Sequence, residues 1–260
     1  MSYVQIPLVR LLIAAALITA SVFVSWRMRA GLERDLLWGA LRAAVQLIAI
    51  GYFLILLFGH ERPEFVLGTV FVMLTVAAAT SARRVAHGPG AHVLFPRALM
   101  AIGAGAVVAL LPVFAWVIPP SPWYEARYLV PISGMMLSSA MNVVAQVFER
   151  LFATAHSDAA TIEQWLALGA SPKQALASAE RASLRSAMIP TINGLLTVGL
   201  VALPGMMTGQ IVSGTSPSQA VRYQIVIMYQ IVAVAAVAGA LATLFARRLM
   251  FTSRDQLRPM

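Results

Sequence analysis

Apolar residues in this chain come in long unbroken runs, not at the three-to-four-residue spacing of a half-buried surface helix. Runs near the roughly 20 residues that cross a bilayer fall at about 8–25, 36–58, 65–82, 98–118, 129–147, 188–212 and 225–246. The pattern predicts seven membrane-spanning helices. The fold class expected is all-α, a polytopic integral membrane protein, with residues 1–260 as a single transmembrane domain. The fifth and sixth runs are diluted by polar and small residues. The first has the length of a signal peptide, but "SWRMRAGLER" follows it, a stop-transfer-like basic cluster without a small-residue cleavage site. It is therefore expected to be retained.

The connections are short except one, from about Glu149 to Ala187. It reads as two helical pieces. "DAATIEQWLAL" ends at Gly169, a C-terminal cap position, and "SPKQALASAERASLRSAM" begins with Ser171 as N-cap and Pro172 in the first helical position. Alanine and glycine crowd the spans ("AIGAGAVVAL", "AVAAVAGALA"), which lets helix backbones approach closely in lipid.

Composition agrees. The chain is 60% hydrophobic and 11% charged, against about 25% charged residues in a soluble domain. A net charge of +9 would fit nucleic acid, but the basic residues sit at the ends of apolar runs, so no nucleic-acid partner is expected and membrane lipid is. Their distribution sets orientation. One set of connections holds Arg27, Arg29, Arg34, Arg83, Arg84, Arg97, Arg150, Lys173, Arg181, Arg185, Arg247, Arg248, Arg254 and Arg258; the other holds Arg10, Arg62, Arg127 and Arg222. The N-terminus is therefore expected outside, and the long connection and the C-terminal tail in the cytoplasm. The absence of cysteine removes disulfides and thiolate chemistry.

Polar residues inside spans carry the candidate chemistry. Arg42 and Gln46 lie one turn apart on span two; an arginine at that depth either lines a pathway or snorkels to the surface. In span five Asn142, Gln146 and Glu149 form a polar stripe, with Met135 and Met136 one to two turns earlier. Span six has Asn193, then Pro204–Gly205, then Met206, Met207 and Gln210. A helix broken in hydrocarbon survives only where its freed backbone groups are buried in protein or line a cavity. Pro204 and Gly205 thus read as a hinge, and the methionines and Gln210 as a substrate-facing surface or, for the methionines, as gap-filling side chains. A metal contact at Met206 and Met207 is the weaker reading. The four histidines lie in loops or at membrane edges, and neither H-E-x-x-H nor a P-loop occurs. No catalytic residue and no cofactor of its own is expected.

Within the long connection, "EQWLALGAS" places Glu163 before Gly169 and Ala170, with Pro172 next. It resembles the "EAA…G" loop through which bacterial ABC-transporter permeases dock on their ATPase subunits, with Gln164 and Trp165 replacing the alanine pair. The alternative is an ordinary amphipathic loop helix. "ERDLLWGALRAAVQLIAIGYFL", "VPISGMMLSSAMN", "LALGASPKQAL" and "VGLVALPGMMTGQIVSGTSPSQAVRYQIV" together resemble the FetB-like family of bacterial iron-export permeases, to which plant aluminium-tolerance half-transporters belong. The resemblance implies a non-enzymatic permease subunit of an ABC exporter in the bacterial inner membrane. A permease homodimer would pair with two separate ATPase chains that hold ATP and magnesium, serving iron efflux, metal homeostasis and oxidative-stress resistance. Where the family commonly has an Asp and a Lys three residues apart, this chain has Asn193 and Leu196; the exchange leaves no orphan charge but weakens a carboxylate site for Fe²⁺. Two other readings stay open: an ABC permease for a nucleotide sugar or other organic anion drawn by Arg42, and an ATPase-independent secondary transporter.

The orientation has a direct test. A reporter fused after Met260 is expected to be active only on the cytoplasmic side, and a cysteine at Ser121 to label from outside. The opposite pattern would invert every loop assignment.

Overall fold

A computed structural model describes residues 8–60 and 62–258, the side chains of 8–12 and 14 excepted. Expectations that touch the Arg10 side chain, Glu61, Pro259 or Met260 lie outside the described residues. The described chain is helical, with two isolated bridges and no strand. It divides into two compact units, residues 1–61 and 62–260.

The first unit is a helix pair, α1 (Leu8–Met28) and α2 (Glu33–Gly59). The turn between them needs two left-handed residues, Arg29 and Gly31. It is closed by Ser25, whose hydroxyl donates to Glu33 Oε1 at 2.8 Å and accepts from the Leu32 N–H at 3.1 Å. On α2 Leu57 is buried, while Leu47 and Ile55 are about 70% exposed, the state that hydrocarbon solvent favours.

The second unit contains α3 (Pro63–Arg83), α4 (Ala91–Pro112) running into a π-turn at Val113–Val117, α5 (Ala126–Ser157), α6 (Ala159–Ala167), α7 (Pro172–Ala175), α8 (Ala177–Thr197), α9 (Gly205–Val212) and α10 (Pro217–Met250). Helix α10 packs against α4, α5, α8 and α9, and α3 packs against α4 and α5. The contacts are close because the meeting residues are small. A Cβ at Gly105 of α4 would lie 3.0 Å from the Val234 carbonyl oxygen of α10. A Cβ at Gly239 of α10 would lie 2.7 Å from Leu184 of α8 and 2.9 Å from Val143 of α5. Hydrogen bonds lock the same contacts: Gln230 Nε2 donates to the Ala109 carbonyl at 3.1 Å, and the Ser81 hydroxyl of α3 donates to the Met141 carbonyl of α5 at 3.0 Å.

Among the described residues five helices are long and apolar enough to cross a membrane: Glu33–Gly59, Pro63–Arg83, Ala91–Val117, Ala126–Ser157 and Pro217–Met250. The first expected span coincides with α1. The sixth does not form one helix. Its first part continues from the long connection as α8, residues 198–204 are non-helical, and α9 follows. The second piece of that connection is likewise divided, at Leu176, which is fully buried. At about 1.5 Å per residue, α5 with 32 residues and α10 with 34 run to about 50 Å, well beyond the roughly 30 Å hydrocarbon core.

The packing predicts a contrast. Gly105→Val forces a side chain against the α10 backbone and is expected to cost about 1–3 kcal/mol, seen as a lower thermal midpoint in detergent. Gly68→Ala, where nothing lies within 4 Å of the added Cβ, is expected to be neutral or stabilising by up to about 1 kcal/mol.

Candidate transport cleft and coupling corner

On α5 the residues Pro131, Met135, Ser138, Asn142 and Gln146 recur at steps of four, three, four and four, so they share one face. With Gly134 and Ser139 they form one wall of a cleft of about 600 Å³, closed opposite by Ala187, Pro190 and Thr191 of α8 and Ile231 of α10. Its lining carries hydroxyls, two carboxamides and a thioether but no formal charge. Such a surface solvates a polar solute through neutral dipoles, and a cation through the oxygens of Asn142 and Gln146 with Met135 as a soft donor. Among the described residues no three His, Asp or Glu side chains gather where they could hold a metal ion.

The stripe stops at Glu149. Its Oε2 accepts the Ala86 N–H at 2.7 Å and its Oε1 lies 3.7 Å from His87 Nδ1, so this carboxylate ties α5 to the loop after α3.

The expected pathway residues separate into groups. Met135, Asn142 and Gln146 line the cleft. Met136, about 100° further round the helix, is fully buried in the core and does not reach the cleft. Asn193 is exposed on α8 but turned about 200° from Thr191, outside the lining. Arg42 and Gln46 are exposed on α2 of the first unit. On α9, Met207 is 8% exposed and Met206 packs against the core. Gln210 keeps a buried side-chain oxygen for which the described residues offer no hydrogen-bond partner, as do Ser133, Gln224 and Gln230. The residues missed from sequence, Ser138, Ser139 and Thr191, include two that continue the Asn142 stripe one turn earlier. Thr191 had no such signal, because its place depends on where α8 packs.

The hinge also differs from the expected kink. Pro204 is not inside a bent helix; it is the N-cap of α9, and Gly205 is its first residue. The break starts at Val198, six residues earlier. The loop answers the demand of its freed backbone within itself. The Thr197 carbonyl accepts from Leu200, Val201 and Ala202 at 3.0–3.4 Å, Gly199 donates to Ala202, and Val198 donates to Gly194. Gly199 takes the left-handed conformation that this closure needs, at φ +81°. Leu200 and Val201 are more than 80% exposed.

The residues expected at the coupling loop form a sharp corner. Helix α6 ends in a Schellman motif: Ala170 N–H donates to the Trp165 carbonyl at 3.0 Å and Gly169 N–H to the Leu166 carbonyl at 2.9 Å, with Gly169 at φ +89°. Two residues later Ser171 and Gln174 form a capping box around Pro172. The corner thus joins a capped end directly to a capped start. It leaves Trp165 54% and Leu168 83% exposed. A second cleft, about 810 Å³, lies between Glu163, Gly169, Ala170, Ser171 and Gln174 on one side and Arg254–Leu257 on the other. The tail as a wall of this site had no signal in sequence.

Five apolar helices of membrane-crossing length among the described residues, two of which (α5 and α10) line a neutral polar cleft with α8, define a multi-pass α-helical membrane protein. The chain belongs to the uncharacterised protein family UPF0014, whose sequence profile matches residues 8–251. It is similar to the UPF0014 membrane protein slr1647 of Synechocystis, 38% identical over 87% of this chain and 86% of the relative. It is also 33% identical to the probable iron export permease protein FetB of Escherichia coli, over 95% of this chain and 93% of that one. The protein ALUMINUM SENSITIVE 3 of Arabidopsis thaliana is 31% identical, over 94% and 88%. No solved structure matches the chain. The expected kinship with the FetB-like and plant proteins therefore holds at the level of the family.

The cleft predicts water access. Since the chain has no cysteine, a single Asn142→Cys or Ser138→Cys thiol is expected to react with a charged, membrane-impermeant reagent at least about tenfold faster than Ser133→Cys, which is fully buried. Equal rates would mean that the stripe faces lipid.

Proposed function

We propose that this chain is the membrane permease subunit of an ABC exporter that moves iron or a related metal outward through the α5–α8–α10 cleft. The observation that carries the reading is the joint one of similarity over nearly the whole chain to a protein named as an iron export permease and a rigid, doubly capped corner at Glu163–Pro172. A corner of this build suits a lever that passes motion between a soluble motor and the helices above it, because capped ends resist fraying. Helix α8 starts five residues after the α7 turn opens and itself lines the cleft at Ala187, Pro190 and Thr191. Displacement of the corner would therefore move one cleft wall. The energy source is a separate ATPase, with two permeases and two ATPase chains in the assembly, ATP and magnesium residing on the latter. The N-terminus faces out and the corner faces the cytoplasm.

The charge-free lining favours one second reading, in which the same machine carries a polar organic solute. One experiment separates the two. In cells lacking their own iron exporter, the chain is produced with its ATPase, and intracellular iron is measured. Gly169→Trp is expected to abolish co-purification of the ATPase and export together, while the permease stays folded in the membrane. The pair Asn142→Leu and Gln146→Leu is expected to keep the ATPase bound and to lower iron export at least about tenfold. Met206→Leu with Met207→Leu, nearly volume-conserving, is expected to leave export within about twofold, given where these side chains lie. Undiminished iron export by the Asn142/Gln146 pair would turn the cargo towards the organic reading; normal ATPase recovery with Gly169→Trp would remove the coupling role.

A further inference from the structure

The last described residues do not trail away from α10. Met250 and Phe251 are buried, at 1% and 6% exposure, and Leu257 packs against the same core. Between them the chain folds into a tight hairpin. Thr252 N–H donates to the Gln256 carbonyl at 2.9 Å, Asp255 N–H to the Thr252 carbonyl at 3.1 Å, and Arg258 N–H to the Met250 carbonyl at 2.8 Å. The Thr252 hydroxyl accepts from the N–H groups of Arg254 and Gln256, and Arg258 Nε donates to the Phe251 carbonyl at 3.1 Å. Asp255 occupies the left-handed turn position at φ +57°, which aspartate and asparagine tolerate better than other side chains. One turn before the hairpin, Arg247 makes a double hydrogen bond to both Glu180 oxygens at 2.8 and 2.9 Å, joining α10 to the first turn of α8. That pair is mostly buried.

The hairpin tip is held beside the coupling corner, and the two enclose the 810 Å³ cleft. Two acids line it, Glu163 from the corner and Asp255 from the tip, together with Arg254. No ion pair satisfies either acid among the described residues. Next to the cleft, Trp165 and Leu168 present apolar surface on a segment that lies past the membrane-crossing length of α5 and α10. The two side chains offer a partner an apolar anchor beside the cleft.

We propose that the hairpin Phe251–Arg258 is a second, built-in part of the surface that seats the ATPase subunit, and that the ATPase places a basic side chain between Glu163 and Asp255. This inference rests on the ABC reading above and adds to it a partner contact outside the coupling loop. The Arg247–Glu180 clamp and the buried Phe251 and Leu257 tie the tip to α8 and α10, so both walls of the seat move with the helices that line the transport cleft.

The test uses the full chain in membranes, together with the ATPase that co-purifies with it. Single cysteines are introduced at Ser171 in the corner or at Gln256 in the hairpin, each the sole thiol of a cysteine-free chain, and are coupled to a short photoreactive crosslinker. The captured polypeptide is scored by labelling with a photoreactive ATP analogue. Crosslinking from both positions to one ATP-labelled polypeptide is the expected result. Crosslinking from Ser171→Cys alone would overturn the hairpin proposal while leaving the ABC reading in place. Capture of no ATP-labelled polypeptide from either position would overturn both. For the charges, Glu163→Gln and Asp255→Asn keep size and turn conformation. Each is expected to lower ATPase retention up to about fivefold at low salt and much less at high salt. Retention unchanged by the double substitution would overturn the basic contact.

Discussion

Everything in the larger unit depends on how closely α10 can approach its neighbours. Lipid offers helices no hydrophobic reward for association, so they must gain from dispersion at short range and from hydrogen bonds that hydrocarbon cannot replace. Gly105 and Gly239 supply the first, each at a place where a single added carbon would meet another helix at 3.0 Å or less. Gln230 supplies the second by crossing to the Ala109 carbonyl. With α10 seated, α5 and α8 are held at a separation set by Val143, Leu184 and Gly239.

The cleft is a consequence of that seating. Helix α5 turns a dense apolar face, Val143, Val144, Val147 and Phe148, into the core. Its remaining face, from Pro131 to Gln146, has the proline-bearing part of α8 and Ile231 of α10 opposite it. In this arrangement the packing of both helices on α10 holds the gap between them. A polar surface is thereby kept open in a setting where isolated polar groups would be costly. The absence of charge in the lining limits what it can bind to species that neutral oxygens and a thioether can solvate.

The same helices carry the consequence outward. Helices α5 and α10 are too long to end at the hydrocarbon boundary, and their surplus holds the capped corner and the C-terminal hairpin beside one another. The broken sixth span belongs to the same logic. In its loop Leu200, Val201 and Ala202 donate to the Thr197 carbonyl and Gly199 to Ala202, so backbone groups hold the turn where the chain leaves helical geometry.

How much of this was legible in the chain itself varied with the range of the interactions involved. Membrane class, five of the spans, the Gly169 cap and the Ser171–Pro172 start were readable, because each depends on residues within a few positions of one another; the sixth run, expected as one span, divides into α8, a loop and α9. The stripe from Asn142 to Gln146 was readable for the same reason, as helical periodicity is local. The two methionine pairs were not: adjacent residues point 100° apart, and only packing decided that Met135 reaches the cleft while Met136 enters the core. Pro204 was visible as a breaker, yet the length of the break was set by the hydrogen bonds that Thr197 makes beyond it. The tertiary structure alone brought Thr191 to Asn142 and Asp255 to the cleft that Glu163 lines, because those meetings require distant helices to be held at fixed separations, and no local pattern encodes a separation.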